Sequence, residues 1–210
     1  MNLKLALNDI EKQPPLSVSR AERHTYYEEQ LARVRAKGWS GDWPYRLAER
    51  QNSERYSAEL EAFEVEIYQA INQVAWVEFR TAYSDASPIP VKLEALLLGD
   101  LDSALNAAGE LWASLCHQHA YLSSAALPAY PFLRLALEYG PIVLQIEILD
   151  IFRGFATVEL KEFGIDKVAW HEALASRMRA DIELFKKMLL VEDDDGLVRY
   201  FAEEILKKLA

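Results

Sequence analysis

Cysteine occurs once, as Cys116, so no disulfide can close within the chain, and the reading is a reducing compartment. Long apolar runs are missing. Even the most hydrophobic stretch is interrupted by Gln145, Glu147 and Asp150, which excludes a membrane-spanning helix there. The N-terminus, MNLKLALNDIEK, loses its apolar character at Asn8 and Asp9 and lacks the core of a signal peptide. The chain therefore reads as cytoplasmic. Glycine and proline number only eight each among 210 residues, too few for low complexity, while 51% hydrophobic and 27% charged residues describe a globular chain. Strict polar–apolar alternation, the mark of a half-buried strand, is absent throughout. So are a phosphate loop, a glycine-rich cofactor turn and a nucleophile motif, and no cofactor is expected.

Positive charge is scarce in the middle of the chain. Residues 56–150 hold three basic side chains (Arg80, Lys92 and Arg134) against thirteen acidic ones, a net of −10. Residues 1–19 balance, residues 20–55 carry +2 and residues 151–210 carry −2, so the middle accounts for the net charge of the whole chain. Such a surface repels nucleic acid and anionic lipid and attracts basic partners.

What is present is helical periodicity, and the pattern predicts an all-α fold. A single domain, a bundle of about seven or eight helices, is expected to span residues 1–210, with residues 1–18 peripheral because Pro14-Pro15 bars a helix through them. The central element is expected over residues 141–163. Pro141 suits a first helical turn and Gly164 an exit. Between them Leu144, Ile148, Leu149, Ile151, Phe152, Phe155, Ala156, Val158 and Phe163 cover more than half the circumference, which places the helix inside the bundle. Only Glu147, Asp150, Gly154, Thr157 and Lys161 form a polar stripe.

Around it the chain reads as follows. Ser19 and Glu22 form a capping box for a helix to Lys37, followed by the loop Trp39–Pro44 and a short helix to Arg50. Ser53 caps a helix expected to run to about Tyr83, with Tyr56, Leu60, Phe63, Ile67, Ile71, Val74 and Glu78 on one stripe, so that Glu78 falls on the buried side. A short helix covers Val91–Leu98, and Asp102 is expected to cap another from Ser103 to Leu122. Pro131 is expected to open a helix to Tyr139, Asp166 to cap one reaching Leu190, and the last helix spans Leu197–Leu209. The turn LLLGDLDSALNAAGEL, residues 96–111, resembles that of a tetratricopeptide repeat, with glycine between two helices and small alanines where they cross. The helix before Gly99 is shorter than that repeat requires, and no second copy follows at a period of about 34. The segment therefore reads as a generic helical hairpin.

Three kinds of chemistry can be weighed against this frame. Cys116, His117 and His119 are the densest set of metal-ligand types, but on a helix the two histidines lie about 200° apart. Cys116 and His119 could share an ion, yet zinc needs a further protein ligand, so no metal is expected. The residues three before the four histidines are Ala21, Ser114, Cys116 and Val168, so no Glu-x-x-His motif of a di-iron bundle exists. In Glu192–Gly196, a calcium loop with Gly196 at its sixth place would begin at Val191 and end at Ala202, which excludes an EF-hand and leaves the aspartates as caps of the last helix.

The expected function is stoichiometric binding. Glu61 and Glu64 flank one side of the apolar stripe of the helix from Ser53 and Glu59 and Glu66 the other, an acidic surface suited to a basic protein partner, and the profile fits a bacterial immunity-type protein that neutralises a toxin. One alternative is a helical adaptor that takes a peptide in a groove. The other is an enzyme built on Glu78, Glu147, Asp150 and His171, with crowded carboxylates and a histidine base inside the bundle.

Overall fold

The computed structural model describes residues 65–157, 169–191, 193 and 196–210. The fold is an all-α multi-helix bundle, as the periodicity predicts. Residues 65–72 are helical, a 3-10 turn follows at Trp76–Glu78, and then come α1 (Ile89–Leu98), α2 (Leu101–Cys116) and a 3-10 turn at His117–His119. The chain continues through α3 (Ala126–Tyr139), α4 (Ile142–Thr157), α5 (Ala169–Ala180), α6 (Ile182–Met188) and α7 (Leu197–Leu209). No strand occurs among the described residues, only an isolated bridge between Arg80 and Asp85. No helix of the described residues is long and apolar enough to cross a membrane. The expected helices before Ser53, the first part of the next one and the exit of the central helix at Gly164 lie outside the described residues.

The central helix is α4. Twelve of its 16 residues are buried, and it packs against α7, α2 and α3. Phe152 anchors the core, with its ring 5.1 Å from Tyr130, 5.7 Å from Phe185 and 5.9 Å from Phe155. Aromatic rings at such separations add packing energy beyond the area they bury. Its neighbour α7 matches the expected span, with Leu197, Val198, Phe201, Ala202, Ile205 and Leu209 buried. One carboxylate oxygen of Asp193 accepts from the Leu197 and Val198 amides at 2.7 and 3.2 Å, so an aspartate of the acidic run does cap this helix.

Five boundaries differ from the sequence expectation, each for a local reason. The helix expected to reach Leu122 ends at Cys116, where the Ala82 and Ser123 amides take the carbonyls of Ser114 and Leu115, both at 2.9 Å. The helix from Ser53 does not reach Tyr83: it ends at Asn72, because the Trp76 indole donates to the Ile71 carbonyl at 2.8 Å and closes the helix end. Asp100, not Asp102, caps α2, accepting from the Ser103 amide at 2.9 Å. Pro131 lies inside α3 rather than at its start. Proline supplies no amide for the carbonyl four residues back, and the Arg177 guanidinium takes that place, donating to Leu127 O at 3.3 Å. The helix expected to reach Leu190 is split into α5 and α6 at Asp181. That carboxylate holds the Tyr130 hydroxyl at 3.0 Å and Arg134 Nε at 2.9 Å, which ties the break to α3.

Candidate functional site

The polar stripe of α4 is enclosed. Glu147 is fully buried and Asp150 is 3% exposed. One turn on, Arg153 places Nη2 3.0 Å from Asp150 Oδ1, and its guanidinium lies 4.8 Å from the centre of the Phe201 ring of α7. The 3-10 turn after α2 delivers His119 from the other side. His119 Nε2 lies 3.1 Å from the Asp150 carbonyl oxygen and 3.4 Å from Oδ1, while Nδ1 lies 3.2 Å from Arg153 Nη2. Trp112 Nε1 also approaches Nε2, at 3.2 Å.

Arg153 and the Trp112 indole can only donate, at Nδ1 and Nε2 respectively, and a neutral imidazole accepts at one of the two; its single proton sits on the other nitrogen, and on Nε2 that proton meets the Asp150 carbonyl. His119 reaches this position with a φ of +54°, a left-handed conformation that costs a non-glycine residue about 1 kcal/mol. Gly154 makes room for it: a Cβ there would stand 2.7 Å from Cys116 Sγ and 2.8 Å from His119 Cδ2. Both ring nitrogens are thus engaged within the chain, and the cluster joins α2, α4 and α7.

The expected carboxylate site is not assembled as foreseen. Glu78 is exposed in the 3-10 turn, because the helix that was to carry it inward ends six residues earlier. His171 is half-buried on α5, edge-on to Trp170 with ring centroids 5.9 Å apart. The histidine beside Asp150 is His119. The signal that could have found it is the spacing Cys116–His119 opposite the small residue Gly154, read as a close helix approach rather than as metal ligands. Cys116 is fully buried and its thiol faces the Ile151 carbonyl at 3.7 Å. Among the described residues no three His, Cys, Asp or Glu side chains are placed to hold a metal ion.

The acidic face is visible in part. Glu66 is exposed, while Glu59, Glu61 and Glu64 lie outside the described residues. Beyond it, Glu78, Asp100 and Glu110 are exposed, and Asp85, Glu94, Asp102 and Glu138 are half-buried. Hydrogen bonds from Ser87, aided by Arg80, hold the Asp85 carboxyl below its ordinary value. On the opposite balance, the bond to Asp181 raises the Arg134 guanidinium further, and burial together with Asp181 pushes the Tyr130 hydroxyl well above its ordinary range.

No protein-family profile, curated protein or solved structure matches the chain.

Proposed function

We propose that the protein acts by stoichiometric binding of a basic protein partner, which it neutralises or regulates in the manner of an immunity-type inhibitor. The state of the charges in residues 65–150 carries this reading. Of ten carboxylates there, only Glu147 and Asp150 are buried, and the other eight reach solvent. Of three cations, Lys92 is taken by Glu110 at 3.3 Å and Arg134 by Asp181 and Glu138, both at 2.9 Å. The acidic excess therefore faces outward with little left to cancel it. A field of one sign steers an oppositely charged partner and raises its association rate by about 10- to 1,000-fold at low salt. The adaptor and enzyme alternatives lack a comparable supporting observation. His119, the histidine beside Asp150, has both nitrogens engaged within the chain.

The test is capture followed by reconstitution. The wild-type chain is expected to retain one basic protein from its source cells at low salt and to bind it one to one when both are purified. Glu66→Lys with Glu78→Lys, both at exposed positions, should fold normally and lose that protein. Equal retention by the charge-reversed variant, or no stoichiometric basic partner, contradicts the proposal.

A further inference from the structure

Resting on that reading, we infer that the C-terminal end of α2 is where an arginine side chain of the basic partner is seated, against Tyr83, Trp112 and His117 beside the Glu110 carboxylate. Four observations converge on this place. Tyr83 is 67% exposed, the most exposed of the aromatic side chains among the exposed large hydrophobics of the described residues, yet it is held from both sides. Its turn is closed by Thr81, whose hydroxyl oxygen accepts from the Tyr83 and Ser84 amides at 3.3 and 3.0 Å. The turn is tied to α2 by the Ala82 amide on Ser114 O at 2.9 Å. The Tyr83 hydroxyl and His117 Nδ1 then share a hydrogen bond of 2.7 Å. An exposed aromatic ring fixed before binding loses little conformational freedom when a partner arrives.

The rings form a continuous series. Tyr83 meets His117 edge-on with centroids 5.5 Å apart, and Trp112 lies 6.3 Å from His117. Tyrosine and tryptophan are the residue types on which binding energy concentrates, and their faces attract guanidinium groups. The electrostatics point the same way. The last turn of α2 carries no basic side chain of its own, and the negative end of its dipole is offset in part by Lys92, which reaches Ser114 Oγ from α1. Glu110, 62% exposed in the penultimate turn, adds a full negative charge. Its cationic neighbour among the described residues, Lys92, is drawn down onto Ser114 Oγ at 3.1 Å and is only 21% exposed. An arriving guanidinium can stack its planar face on the rings as an ammonium cannot, within the negative field to which exposed Glu110 contributes.

Oligoarginine and oligolysine peptides of equal length serve as probes, with affinity read by titration calorimetry at low and raised salt. The wild-type chain is expected to prefer oligoarginine. Tyr83→Ala should abolish the preference and weaken oligoarginine about fivefold, and this loss should persist at raised salt because it is not a charge effect. Tyr83→Phe should keep most of the affinity, since the ring remains. Circular dichroism confirms folding, and Tyr83→Leu, which keeps bulk without a ring, replaces alanine if the turn does not tolerate it. If the Tyr83 variants bind like the wild type while Glu66→Lys with Glu78→Lys binds weakly, the arginine seat is overturned and the acidic-face reading stands. If neither peptide binds the wild type, both fall. If light scattering shows that Tyr83→Ala merely splits a dimer, the occupant is a second copy and the inference is overturned.

Discussion

The helices from Ile89 to Thr157 and those from Ala169 to Leu209 handle charge in opposite ways. None of α1, α2 and α3 carries a basic side chain in its last turn. Each of α5, α6 and α7 carries two: Arg177 and Arg179, Lys186 and Lys187, Lys207 and Lys208. In the later helices the surface charges also pair locally, as in Lys186–Glu183 at 2.7 Å and Arg199–Glu203 at 2.8 Å. In the earlier helices Asp150 is buried against Arg153, Lys92 and Arg134 pair with Glu110 and Glu138, and the remaining exposed carboxylates lie on a surface short of cations. The later helices follow the rule that favours helix stability. The earlier ones forgo it, and the result is an outward negative field, which is what a surface for a basic partner needs.

Breaking the buried side of this contrast should have the largest effect. Arg153→Met leaves Asp150 enclosed without its cation and removes the guanidinium from Phe201, and about 3 kcal/mol of stability should be lost in urea unfolding. Arg199→Gln breaks an exposed pair of the later helices and should cost about 0.3 kcal/mol. Similar losses for the two would erase the distinction. Next comes Gly154→Ala, whose Cβ collides with Cys116 and His119. About 2 kcal/mol should be lost, since overpacked cores must shift their neighbours.

Tyr130→Phe probes the junction between the two regions, where α3 meets the break at Asp181. Removing the hydroxyl should cost about 1 kcal/mol at neutral pH. The sign of its pH dependence follows from the raised folded value. Tyr130 stays protonated in the fold while it ionises near 10.0 when unfolded, so its contribution is complete below pH 10.0 and declines as pH rises above it. Alkaline melting curves should therefore fall more steeply for the wild type than for the variant. The smallest effects sharpen the contrast itself. Lys207→Gln with Lys208→Gln should cost a few tenths of a kcal/mol, and Tyr139→Lys, at the exposed end of α3, should add about as much. Both changes should vanish at high salt.

The central helix was legible because α4 is apolar on nearly every side, a pattern with one stable solution in water. The last helix was legible from its stripe and its acidic entry. Most of the boundaries that misread turn on side chains that reach the backbone or one another. Trp76 takes the Ile71 carbonyl, Arg177 takes the carbonyl that Pro131 leaves, and Asp181 gathers Tyr130 and Arg134. Periodicity carries no trace of such long-range partners. The same limit explains the candidate site: Glu147 and Asp150 were found as a buried stripe, but the early end of the preceding helix displaced Glu78, and the fold brought His119, which the stripe did not foresee, to Asp150. The pairing of Tyr83 with His117, 34 residues apart, had no sequence signal at all.

The central claim is that the negative field of the earlier helices recruits a basic partner. Its most direct test is the association rate of the captured partner, measured by surface plasmon resonance over a range of salt, for the wild type and for Glu66→Lys with Glu78→Lys. The account predicts that the variant associates more than tenfold more slowly at low salt, with the two rates converging as salt rises. Equal rates at every ionic strength would contradict it.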